Sequence, residues 1–218
     1  MRLTPTFLDP ATTQFLEGLG LSRRDVSPAA IAILERLGAE RDALAERLAA
    51  AQVLADRDAL APVFNRRAFL RELHRTMSEV ERYRTPAAVL YVDLDGFKAL
   101  NDSYGHAAGD AVLAQVGRML RDQVRESDVV GRLGGDEFGI ILNRASAEEA
   151  RAKAWSLSEH LHATPIIHAG TSHRIAASFG IHAIAVVEDP ETAIARADEA
   201  MYADKHARRA QTAAFASF

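Results

Sequence analysis

In Arg132-Leu133-Gly134-Gly135-Asp136-Glu137-Phe138, two glycines are followed by two carboxylates, with Val129-Val130 before and Gly139-Ile140-Ile141-Leu142 after. Acids behind glycines, between two apolar runs, predict a β-hairpin with a Gly-Gly tip. Glycine supplies the positive φ of a tight turn and lets a phosphate approach the backbone. Adjacent acids on such a tip repel each other until a cation or a basic group compensates them. The pair is therefore a candidate site for a hard cation such as Mg²⁺. Taken alone, it is equally well the charged, solvated end of a hairpin.

A second acidic motif shifts that balance. Ala87-Ala88-Val89-Leu90-Tyr91-Val92 is a continuous apolar run after Pro86, and it ends in Asp93-Leu94-Asp95-Gly96-Phe97-Lys98. Its length suits a buried strand. One carboxylate at a strand end and another on a neighbouring hairpin tip is how phosphoryl-transfer sites hold a metal and a phosphorylated substrate.

Positioning these acids takes a folded domain. Of the 218 residues, 48% are apolar, enough for a core, and 26% are charged, as in soluble proteins. A net charge of −4 gives no general electrostatic reason to bind nucleic acid or an anionic membrane. The absence of cysteine excludes disulfides and thiolate metal sites. No apolar run approaches the roughly 18 residues of a membrane span, and the N-terminus lacks a signal-peptide core. A cytoplasmic location is expected. The eight histidines form no metal-site spacing, and Trp155 is expected to pack a helix.

A short helix is predicted over Pro10–Gly18, and a long one from Ser27-Pro28 to about Asp58. In the latter, Leu34, Leu37, Leu44, Leu48, Ala51 and Ala55 alternate spacings of three and four, with Arg41 the one break. That is a short coiled-coil seam, or a helix packed on its own domain. Phe69, Leu70, Leu73, Met77 and Val80 predict an amphipathic helix. The strand at 87–93, a loop, a helix through Ala111–Leu120, the hairpin, a helix at 146–162 and a strand near 175–185 follow. Asp189-Pro190 opens a last helix carrying Ala193, Ile194, Ala197, Ala200 and Met201. This β-α-β-β-α-β alternation predicts an α+β domain, an antiparallel-rich sheet with helices on one face.

The run Asp93-Leu-Asp-Gly-Phe-Lys-Ala-Leu-Asn101-Asp-Ser-Tyr-Gly-His106-Ala-Ala-Gly-Asp110, then Gly134-Gly-Asp-Glu-Phe138, resembles the GGDEF family of diguanylate cyclases. The likeness extends from about Asp58 to about Arg209. It implies a ferredoxin-like nucleotidyl-cyclase palm with a βαββαβ core over 58–218, behind a helical, coiled-coil-like dimerisation segment over 1–57. It also implies condensation of two GTP into cyclic di-GMP with release of pyrophosphate. Each such domain holds one GTP, so a homodimer is expected.

The same resemblance assigns roles. Asp93, Asp136 and the Leu94 carbonyl would hold Mg²⁺ or Mn²⁺, with Glu137 in support and Asp136 the base at the attacking hydroxyl. Asn101 and Asp110 match the guanine-binding positions, with His106 a further substrate contact; as residue types alone, both also cap turns. Lys98 matches a transition-state lysine, and the turn at Phe97-Lys98 would cradle phosphates. Lys205 and Arg209, four apart on one helical face, match a triphosphate-gripping pair. Alternatively, they complement a helix C-terminus. Arg125-Glu126-Ser127-Asp128, placed before the hairpin, is similar to the family's inhibitory site, where Arg and Asp bind cyclic di-GMP.

Two stretches depart from the family pattern: Ala61-Pro62 stands for Thr-Gly, and Arg208-Arg209-Ala210 for Gly-Arg-Asn. Neither touches a metal ligand. The competing functions are a catalytically silent GTP or cyclic di-GMP sensor acting through a partner, and a scaffold whose residues 1–57 bind a protein.

Overall fold

The computed structural model describes residues 10–215, with side chains as far as Lys205 apart from those of Ala11, Arg23, Ala49 and Val53. The chain forms two compact units, Met1–Ala55 and Asp56–Phe218. Among the described residues, no helix is long and apolar enough to cross a membrane.

The first unit contains α1 (Pro10–Gly18) and most of α2 (Pro28–Asp56). Ser27 caps α2, its hydroxyl accepting the Ala30 amide at 3.2 Å. Leu16 and Ile31 are buried. A groove of about 200 Å³ is lined by Thr12, Phe15, Leu34, Leu37, Gly38 and Arg41, so α1 lies along the first turns of α2. Leu37, Leu44 and Leu48 stay 51%, 57% and 60% exposed. The predicted seam is thus an open apolar stripe that the single chain does not bury.

The second unit is built on a five-stranded sheet in the order β1-β3-β4-β2-β7. Its strands are β1 (Phe64–Asn65), β2 (Ala87–Asp95), β3 (Val129–Gly134), β4 (Glu137–Asn143) and β7 (Ala176–Ile184). β2 is an inner strand, antiparallel to both β4 and β7, while β1 joins β3 in parallel. Two short strands, β5 (Ile166–His168) and β6 (Thr171–His173), form a separate hairpin turned at Ala169-Gly170 with positive φ at both residues.

The helices are α3 (Arg66–Tyr83), α4 (Phe97–Tyr104), α5 (His106–Asp122), α6 (Ala147–Ala163) and α7 (Pro190–Phe215). They cover both faces of the sheet, not one. Ala88, Leu90, Val92 and Leu94 of β2 join the core with residues of α5 and α6. Ala87, Val89 and Tyr91 join the other core with α3 and α7. That explains why β2 reads as an unbroken apolar run. The one-face expectation missed it because α3 and α7 flank the βαββαβ unit in sequence and close its second face from outside.

Two close approaches fix this second face. Phe69 of α3 lies on Gly131 and Gly139, where a Cβ would come within 2.7 and 2.5 Å of its ring. At Gly180, a Cβ would sit 1.9 Å from the Ala197 carbonyl and 2.5 Å from the Met201 amide. α7 therefore packs backbone to backbone on β7. Trp155 is 70% exposed, contrary to the packing role expected of it. The buried stripe of α6 is Ala150, Ala154, Leu157 and Leu161, which leaves Trp155 off it.

Candidate active site

The register of β2 places Asp93 opposite Glu137 on β4 and Ser178 on β7. Alternation along the strand turns Tyr91, Asp93 and Asp95 to one face, that of α7. The hairpin tip is tied to the end of β2 by the Leu94 amide, which donates to the Asp136 carbonyl at 3.3 Å. Arg132 braces the turn by donating twice to the Gly135 carbonyl, at 3.0 and 2.7 Å, and to Asp58 at 3.1 Å.

Neither Gly134 nor Gly135 takes positive φ, contrary to the expected turn. A bulge between Arg132 and Gly134 supplies the twist instead. A Cβ at Gly134 would lie 3.0 Å from the Glu137 carboxylate, so a larger residue there would push that side chain aside. The turn at Ala61-Pro62 holds without Thr-Gly, because Asp58 accepts the Leu60 and Ala61 amides at 3.0 and 2.9 Å. Burial opposes the Asp58 charge, but those amides and Arg132 outweigh it and lower its pKa.

Lys205, carried in by α7, donates to Asp93 at 2.6 Å and pairs with Asp95 at 2.9 Å. Asp95 is also held by the Ser178 hydroxyl at 3.0 Å. Burial works against the Lys205 ammonium, yet the bonds to Asp93 and Asp95 hold its pKa above the ordinary value. Burial raises the pKa of Asp136, and the charges of Asp93 and Glu137 add to it. Asp198 of α7 is raised by burial and by the same two neighbours. The site thus concentrates negative charge that one lysine only partly offsets.

Among the described residues, no three acidic or histidine side chains close into a metal cage. A hard cation needs none here: Mg²⁺ is commonly held by one or two carboxylates with substrate phosphates completing its shell. Asp93, Asp136 and the Leu94 carbonyl make a donor set of that kind, so the residues fit such an ion.

Beyond β2, the segment expected as loop is α4, entered through Gly96 at φ 74° with no side-chain cap. The first amides of α4 therefore lack an intrahelical or capping partner. Lys98, His106 and Asp110 are exposed. The Asn101 Oδ1 is the one buried side-chain polar atom without a partner among the described residues. It presses on Gly109, where a Cβ would lie 2.0 Å away. Neither Asn101 nor Asp110 caps a turn with its side chain. Arg209 lies within α7, but its side chain is outside the described residues.

The loop before β3 is organised by Asp128, whose carboxylate accepts the Asn143 amide at 3.0 Å and the Arg125 amide at 3.1 Å. Arg125 is exposed. With Asp128, Glu149 and Lys153 it lines a small pocket of about 40 Å³.

Residues 55–211 match the family described as "Diguanylate cyclase, GGDEF domain". The chain belongs to the GGDEF family. It is 36% identical over 165 residues to "Probable diguanylate cyclase DgcE" of Escherichia coli (strain K12), covering 74% of this chain and 15% of that protein. It is 35% identical over 197 residues to "Diguanylate cyclase TpbB" of Pseudomonas aeruginosa, covering 84% of this chain and 45% of the relative. The chain thus spans less than half the length of either. Among solved structures, it is similar to the coiled coil and GGDEF domain of DgcB from Caulobacter crescentus in complex with c-di-GMP. There the identity is 28% and the TM-score 0.72, over 81% of this chain and 94% of that one.

Several residues of this GGDEF domain's site went unassigned from sequence: Tyr91, Asp95, Arg132, Ser178 and Asp198. Tyr91 carried a signal, a hydroxyl inside an otherwise apolar strand. Ser178 and Asp198 carried none, because only the register of β7 and the docking of α7 bring them in.

Proposed function

We propose that the chain is a diguanylate cyclase that condenses two GTP into cyclic di-GMP and two pyrophosphates, as a homodimer in the cytoplasm. The observation that carries this is the docking of the Asp136 tip on the end of β2, beside Asp93 and Glu137. Asp93, Asp136 and the Leu94 carbonyl would hold Mg²⁺ or Mn²⁺, which would supply charge neutralisation at the phosphate and a lowered pKa at the attacking hydroxyl. Asp136 accepts the proton of the 3′-hydroxyl, and Glu137 supports the metal site. Lys98 stabilises charge on the phosphoryl group in transit. The free amides at the start of α4 take the terminal phosphates, with Lys205 and Arg209. Asn101, with its unpartnered oxygen, and Asp110 accept guanine's N–H donors, and His106 adds a contact.

Incubating the purified chain with GTP and Mg²⁺ and identifying the products tests this directly. Cyclic di-GMP and pyrophosphate are expected. Bound GTP with no product would point instead to a catalytically silent module acting through a protein partner.

The pocket of Arg125 and Asp128 is proposed as a product-binding inhibitory site. Arg125→Ala should leave turnover at low product unchanged while removing the levelling-off of progress curves as cyclic di-GMP accumulates. Identical plateaus in wild type and variant would rule out a working inhibitory site.

Residues 1–57 are proposed as the dimerisation segment, a surface also open to a protein partner, with 58–218 as the catalytic domain. Two GTP-loaded domains must meet, and Leu37, Leu44 and Leu48 offer the stripe that raises their effective concentration. Burying each is worth at most about 1.5–3 kcal/mol, and Arg41 in the stripe weakens the pairing. Deleting residues 1–57 should therefore lower specific activity most at low enzyme concentration. Superimposable concentration curves for the two proteins, with light scattering showing both monomeric, would remove the seam from the mechanism.

A further inference from the structure

The chemistry above leaves the hydroxyl of one buried tyrosine without a task. Tyr91 is 7% exposed in the middle of β2. An apolar side chain would fill that place without bringing a polar atom into the core. Its partners in register are Gly139 on β4 and Gly180 on β7, so no side chain stands on either flank. It belongs to the core that contains Ala197 and Met201 of α7. Asp93 points to the same face two residues on, and Glu137 lies opposite Asp93, which makes Glu137 the diagonal neighbour of Tyr91. As a diagonal neighbour on the same face, Glu137 lies within reach of the Tyr91 side chain.

We infer that Tyr91 is a positioning residue, whose hydroxyl donates to Glu137 and fixes that carboxylate beside Asp93 and Asp136. Glu137 shares its surroundings with the like charges of Asp93, Asp136 and Asp198. A carboxylate so placed turns toward water unless a donor holds it. The tyrosine reaches from below, its ring gripped by the core and its polar tip at the site. This is the role of an outer group that orients the groups around a metal. The inference rests on the proposed cyclase function.

Tyr91→Phe removes the hydroxyl and nothing else, and its thermal midpoint should stay near that of the wild type. Binding of Mn²⁺ is followed by electron paramagnetic resonance with 3′-deoxy-GTP, which lacks the attacking hydroxyl. The Mn²⁺ concentration for half-saturation should rise roughly tenfold. With Mg²⁺ and GTP, kcat should fall by a similar factor while KM for GTP moves by less than about twofold, since no nucleotide contact is touched. In a Glu137→Ala background, the same substitution should change neither quantity further. Wild-type Mn²⁺ binding and kcat in Tyr91→Phe would overturn the inference, as would a loss of equal size on top of Glu137→Ala. A wild type that neither binds Mn²⁺ nor makes product would instead overturn the proposed function, a result seen before any variant is compared.

Discussion

Asp136→Asn should abolish cyclic di-GMP synthesis and leave the fold intact. The tip is held through backbone atoms, the Asp136 carbonyl to Leu94 and the Gly135 carbonyl to Arg132, and none of these changes in the variant. What changes is the charge. An amide binds Mg²⁺ poorly and cannot take the proton of a hydroxyl. Loss of a general base alone costs about 10²–10⁴ in rate, and loss of a ligand adds to it. The amide also relieves the repulsion with Asp93 and Glu137, so thermal stability should be equal or slightly higher. Product analysis and a melting curve on the same preparation check both halves. Near-normal turnover would show that the metal and base assignments at the tip are wrong.

The largest expected effect on stability is that of Gly180→Ala. The added Cβ would meet the Ala197 carbonyl at 1.9 Å and the Met201 amide at 2.5 Å, and helix backbone cannot rotate aside as a side chain can. α7 must lift from β7. Overpacking of this kind costs about 1–3 kcal/mol and more where backbone has to move. For a domain of this size, about 3 kcal/mol corresponds to roughly 6–12 °C in Tm. Lys205 rides on the same helix, so activity should fall with stability. Gly135→Ala is the contrast, since nothing lies within 4 Å of its Cβ and its φ is not positive. If the two variants melt together, the backbone contact between α7 and β7 is not what holds that face.

The two acidic motifs were legible because each sits at a break in a strong apolar pattern: Asp93 where a buried run ends, Asp136 between two strand-forming runs. The order of long elements was legible for the same reason. α4 was not, since eight residues with Phe97 and Leu100 as its apolar pair resemble a loop until Gly105 is seen to separate it from α5. The β5–β6 hairpin has strands of three residues, too short for any period to show. Lys205 was picked out as a triphosphate ligand, but its place on Asp93 and Asp95 depends on how far α7 sinks onto Gly180. That depth is a tertiary quantity, invisible to spacing along the chain. The double layer of helices was missed because a pattern of alternation counts elements without saying which face each covers.

If Asp93 holds the metal as proposed, the bridge from Lys205 to Asp93 and Asp95 would make nucleotide capture an exchange of counter-ions. A divalent cation reaching Asp93 meets a carboxylate already neutralised, and must displace an ammonium whose attachment holds its own proton tightly. The freed ammonium is then an unpaired positive charge beside the arriving triphosphate. Metal and nucleotide would therefore each help the other to bind, and by thermodynamic reciprocity the factor would be the same in both directions. The metal alone should bind weakly and the nucleotide alone weakly, with a steep mutual gain when both are present. Lys205→Met should flatten that gain, tightening the metal in the absence of nucleotide while weakening the nucleotide in its presence. One side chain would thus make the site selective for a charge-matched pair over either member of it.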